Sequence, residues 1–134
     1  MAHFSFEYSA NLEPVLDLQA FCDVMRDTMI DSGVFPLGGI RVRGTRVDVC
    51  TVADGKPNLG FVDITVRMGR GRDAKTRHNV TETLYAAAEE WLKSALDDRP
   101  FALSLEVMEI EPRFAEKRFN TLHAYLAGKD GSND

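Results

Sequence analysis

A chain of 134 residues with 44% hydrophobic side chains has the material for one buried core rather than two. Its formal net charge of −5 and pI near 5.2 argue against a nucleic-acid or membrane-surface partner, because both surfaces attract an excess of cations. No apolar run is long enough to cross a bilayer, and Met1 to Glu7 lacks the basic-then-apolar pattern of an export signal, so the expected location is cytoplasmic.

From His3 to Ser9 the aromatic residues Phe4, Phe6 and Tyr8 alternate with His3, Ser5 and Glu7, the period of a half-buried strand. Pro14 suits a first helical turn, and Leu18, Phe21, Cys22, Met25 and Met29 recur at helical spacing until Ser32-Gly33 supplies a stop. After Pro36-Leu37-Gly38-Gly39, the β-branched run Ile40 to Val52 predicts a long strand with a bulge or bend at Gly44. Residues Ala53 to Asn58 form a turn cluster that divides the chain into similar halves.

The second half repeats the order. A strand from Gly60 to Met68 leads into Gly69-Arg70-Gly71-Arg72, and a helix then opens at Asp73 and ends before Arg99-Pro100. Val80, Leu84, Ala88, Trp91 and Leu92 mark its apolar face. Phe101 to Ile110 alternates as a last strand, and Phe114 to Leu126 reads as a short helix or arm. The expected fold is α/β, two βαβ units in one domain: the domain spans 1–126, the units 1–52 and 59–111, with a flexible tail at 127–134. Cys22 and Cys50 have neither CxxC spacing nor a ligand cluster, and both read as reduced packing residues.

One crossover helix per unit favours parallel strands and places both helices on one face of a four-stranded sheet. If apolar residues occupied both faces, Phe4, Phe6, Ile64 and Val66 could not all lie beneath two helices, and self-association would cover the remainder. A ferredoxin-like monomer with a solvated sheet is the alternative.

Two arginine-glycine segments stand at element boundaries, one reaching Arg41 and Arg43, the other ending at Arg72. A guanidinium holds a carboxylate through two parallel hydrogen bonds, and Arg72 also precedes a helix N-terminus, so a dicarboxylate site is conceivable. The single Gly-Arg-Gly-Arg copy, in an acidic chain without interleaved aromatics, does not make an RNA-binding segment. His3, His78 and His123 lack the spacing of a metal site or of a nucleophile and its base, and they read as structural. Glu106 and Glu109 point to opposite faces, so no carboxylate pair stands out.

These segments also carry a resemblance. His3-Phe4, the run Gly33 to Arg43 with Phe35-Pro36-Leu37-Gly38-Gly39-Ile40-Arg41, Ala53-Asp54-Gly55, Gly69 to Arg72, Ala102 to Glu106 and Asn120 to Ala124 stand in the order found in the 5-carboxymethyl-2-hydroxymuconate isomerases of the tautomerase superfamily. The sequence resembles that family through nearly its whole length. The resemblance implies a homotrimer with active sites near subunit interfaces, no metal and no organic cofactor, and enol-keto tautomerisation of an unsaturated dicarboxylate in aromatic catabolism. It also implies that Arg41 and Arg72 hold carboxylates while an N-terminal proline acts as general base. Ala2 stands where the family has that proline. Freed by loss of Met1, Ala2 offers a primary amine as base, whereas with Met1 attached its nitrogen is an amide without basicity. The alternative is a catalytically silent homologue that binds a small carboxylate or serves in an assembly.

Overall fold

The computed structural model describes residues 1–130. Strand β1 (Ala2–Ser9) follows the alternation, with Phe4, Phe6 and Tyr8 buried and Glu7 exposed. A 3-10 segment, Ala10–Val15, takes up Pro14, so the helix expected from that proline starts later, as α1 (Leu18–Asp31). Leu16 is extended and interrupts the two, and the Asp17 carboxylate accepts from the Ala20 N–H at 3.1 Å to cap α1. Gly33, at φ +73°, provides the left-handed residue that turns the chain out of α1.

The 3-10 turn Leu37–Gly39 leads into β2 (Ile40–Val47), which stops short of the expected Val52. Its partner explains the end: Val47 pairs with Ser9, the last residue of β1, and beyond it no neighbouring backbone is in register. The pairing from Ala2–Ile40 to Ser9–Val47 is unbroken, so Gly44 is not a bulge. A Cβ there would lie 2.3 Å from the Phe6 ring, and the glycine instead lets that ring cross the strand.

The second unit comprises β3 (Gly60–Met68), α2 (Ala74–Leu96) and β4 (Phe101–Glu109). A 3-10 turn, Pro112–Phe114, and a last helix α3 (Leu122–Asp130) follow. Helix α3 therefore runs into the stretch from 127 where a flexible tail is expected, and residues 131–134 of that tail lie outside the described residues.

The four strands lie in the order β2-β1-β3-β4, parallel within each unit and antiparallel between β1 and β3. Both long helices cover one face, and Phe21 of α1 joins the layers, its ring 5.0 Å from Phe6 and 5.1 Å from Trp91. The expectation that Phe4, Phe6, Ile64 and Val66 could not all lie beneath two helices is corrected. Phe4, Phe6, Ile64 and Val66 are all at 0–2% exposure on the helix side, because the period-2 pattern of each strand is in phase with its neighbours. The open face is mainly polar, with His3, Ser5, Arg43, Asp63 and Arg67, but the same register also places Phe61 and Met108 there. Cys22 is half-buried against the core, but Cys50 is exposed beyond β2 and is not a packing residue. Among the described residues no helix is long and apolar enough to cross a membrane.

Candidate active site

The topology brings four chain segments to one end of the sheet. Parallel pairing sets the start of β2 beside the start of β1, and antiparallel pairing sets the end of β3 beside both, with Ala2 opposite Ile40 on one side and Met68 on the other. Met68 in turn pairs with Glu109, and the Ile110 N–H donates to the Met68 carbonyl at 2.8 Å, so the arm after β4 also leaves from here. The chain start thus meets the Leu37–Gly39 turn, the loop Gly69–Arg72 and the segment 110–123.

Gly39 makes room for the amino terminus, since a Cβ on it would lie 3.3 Å from the Met1 nitrogen. Gly38 makes room for the arm in the same way: a Cβ there would stand 2.6 Å from Nδ1 of His123. The two adjacent glycines therefore let α3 and the first residues of β1 converge on one turn.

Two clefts open beside Met1. One, of about 450 Å³, is lined by Arg41, Lys117, Phe119, Asn120 and His123 together with Met1 and Glu116. The other, of about 360 Å³, adjoins Gly69, Arg70, Ile110 and Pro112, and shares Met1, Glu116 and Lys117 with the first. Volumes of this size suit a small organic acid.

Ala2 is buried in β1, and the free amine of the described chain is that of Met1. Burial, followed by the positive charges of Lys117, Arg72 and Arg41, pushes this amine below the usual α-amino range. Arg41 lines the larger cleft while its Nη1 donates to the Gly39 carbonyl at 2.9 Å. Arg72 lies close enough to act on the amine by charge, but its guanidinium ties two loops together, Nη1 to the Gly69 carbonyl at 3.2 Å and Nη2 to that of Val34 at 2.7 Å. Its place comes from the loop, where Gly71 at φ +119° turns the chain into the N-cap Asp73, whose carboxylate accepts from the Thr76 N–H at 2.8 Å.

His123 lines the larger cleft and packs over Gly38, whereas His78 is exposed on α2 as a surface residue. His3 lies on the open sheet face, where Nη1 of Arg43 is 3.1 Å from its Nδ1. A guanidinium can only donate, so Nδ1 is the acceptor of a neutral ring, in keeping with a pKa lowered by burial and then by Arg43. Lys117, Asn120 and Arg70 were not singled out from sequence. The Gly38-Gly39 pair was the available signal, since consecutive bare residues at a turn mark a close approach by other parts of the chain. Among the described residues no group of three or more His, Cys, Asp or Glu is placed to hold a metal ion.

The family model for 5-carboxymethyl-2-hydroxymuconate isomerase matches residues 2–126. The chain belongs to this family. A 5-carboxymethyl-2-hydroxymuconate Delta-isomerase of Escherichia coli is 33% identical over 124 residues, 92% of this chain and 98% of that protein. A crystal structure of a 5-carboxymethyl-2-hydroxymuconate delta-isomerase superposes with a TM-score of 0.85 at 31% identity, covering 94% of this chain and 93% of the other. An isomerase of the same name from Deinococcus radiodurans R1 also reaches 0.85, at 25% identity and 93% coverage of both chains. Further off, a fused 4-OT symmetric trimer shares the fold at a TM-score of 0.56 and 19% identity, covering 88% of this chain and 95% of the other. The two βαβ units thus make a tautomerase-superfamily fold.

Proposed function

We propose that this member of the 5-carboxymethyl-2-hydroxymuconate isomerase family is a cytoplasmic homotrimeric enzyme without metal or organic cofactor. Its reaction is the enol-keto tautomerisation of an unsaturated dicarboxylate from aromatic catabolism. The observation that carries the reading is the chain's amino terminus, held between two acid-sized clefts with Arg41 and Lys117 beside it and depressed in basicity by burial and cations. Such an amine is unprotonated over more of the neutral range than an ordinary one, which is what a general base needs.

In the working form the base is the amine of Ala2, uncovered when Met1 is removed. Because Met1 lines both clefts, its loss also widens the space above that nitrogen. The neutral amine takes the proton of the substrate's enol oxygen, and the resulting dienolate carries negative charge along its conjugated chain. Arg41, with the field of Arg72 behind it, stabilises this charge more than that of the starting acid, which lowers the barrier. The ammonium then returns the proton to a carbon of the chain, giving an α,β-unsaturated ketone and restoring the base. The homotrimer is supported by the exposed aromatics Phe114 and Phe119 and by the trimeric neighbour of the same fold.

The test combines intact mass of the natively expressed protein with a ketonisation assay. Loss of Met1 and measurable turnover are expected, with a higher rate in Ala2→Pro, whose secondary amine is the family's base. A correctly processed Ala2→Pro protein without turnover would overturn the isomerase reading.

A further inference from the structure

Building on that proposed function, we infer that Arg70 and Lys117 form a second carboxylate subsite across the chain start from Arg41. The pair then takes the far carboxylate of the unsaturated dicarboxylate already proposed as the substrate. The two clefts share Met1, Glu116 and Lys117, whereas Arg41 lines one alone and Arg70 the other alone. An acid laid across the amine therefore meets a guanidinium at either end, with the Lys117 ammonium between them.

Arg70 is available for this. It makes no hydrogen bond among the described residues, and its Nη1 stands 3.6 Å from Oε2 of Glu111, outside hydrogen-bond range. That oxygen is buried without a hydrogen-bond partner, while Oε1 of the same carboxylate accepts from Nε of Arg113 at 2.8 Å and pairs by charge with its Nη2 at 2.7 Å. Glu111 is thus fixed by Arg113 and keeps Arg70 at the cleft by charge alone. A ligand carboxylate, offering two parallel acceptors to the same fork, displaces so loose a contact. Arg72 differs, because its two terminal nitrogens already donate to backbone carbonyls. The carboxylate of Glu116, the negative group in both clefts, is turned to its own backbone, with Oε1 accepting from the Lys117 and Arg118 N–H groups at 3.0 Å.

The experiment is calorimetric binding of trans,trans-muconate, a six-carbon diene with a carboxylate at each end, against sorbate, the same chain with a methyl at one end. Wild type is expected to bind muconate more tightly. Arg70→Ala should lower muconate affinity about tenfold, towards that of sorbate, and leave sorbate unchanged. Glu111→Gln should tighten muconate alone by releasing Arg70, and Arg41→Ala should weaken both acids. Equal loss for the two acids in Arg70→Ala, no loss for either, or a wild type that does not distinguish them would overturn the subsite. The binding pattern together with absent turnover would instead sink the isomerase reading and leave the subsite standing.

Discussion

Phenylalanine is packed at 0–2% exposure at Phe4, Phe6 and Phe21 in the sheet-helix body, and stands at 82% and 93% at Phe114 and Phe119 in the arm after β4. The body completes its core within one chain, because four strands and two helices direct their apolar residues to a shared layer. The arm has no such layer. Its aromatics stay exposed, Phe119 at the rim of the larger cleft, where Lys117, Asn120 and His123 also meet the chain start. Stability and chemistry are therefore divided between the two regions, and substitutions in each should read out differently.

The largest effect is expected in the body. Phe21→Ala removes a ring that joins β1, α1 and α2, and should cost about 3–5 kcal/mol in urea unfolding. The same truncation at Phe119 should change the stability of the dissociated subunit by less than about 0.5 kcal/mol and act on assembly instead, seen by sedimentation velocity on dilution. Comparable losses of stability at the two positions would erase the distinction.

A smaller effect sharpens the chemical side. The Met1 amine of the unprocessed chain should lose its proton below the ordinary α-amino range, because burial and then the charges of Lys117, Arg72 and Arg41 disfavour its ammonium form. Lys117→Met removes the largest charge contribution after burial, so that amine should hold its proton to higher pH, read by NMR titration of the labelled terminus. A midpoint that stays in place would remove Lys117 from the electrostatics of the amine.

The least effect is expected at Gly39. The added Cβ in Gly39→Ala would stand 3.3 Å from the Met1 nitrogen of the unprocessed chain but 3.9 Å from the Ala2 nitrogen, an ordinary contact. An unchanged kcat and melting temperature are therefore expected for the processed enzyme, since proton transfer depends on placement and the methyl group leaves the Ala2 amine where it is. A several-fold fall in kcat would show that the freed terminus settles against Gly39.

Local pattern alone was enough for the βαβ order. The alternation at Phe4-Phe6-Tyr8, the helical spacing from Leu18 to Met29 and the stop at Gly33 depend on neighbours in the chain, and each appears where expected. The end of β2 did not, because it is set by Ser9 of another strand. The open face was misjudged for a similar reason: whether four apolar stripes fall on one side depends on register between strands, which no single segment encodes.

The same division holds at the site. Arg41 and Arg72 stood out because each adjoins a glycine turn, and family membership was legible in the run from Gly33 to Arg43. The approach of residues 110–123 to the amino terminus was not legible, since it arises from the antiparallel pairing of β1 with β3 and the parallel pairing of β3 with β4. Sequence by itself pointed to Arg41 and Arg72 as candidate acid holders and to where the chain turns. Only tertiary structure decided that Arg72 is tied to two carbonyls, that Arg70 is left untied, and that Lys117 stands over the amine, because each depends on segments distant in the chain meeting at one end of the sheet.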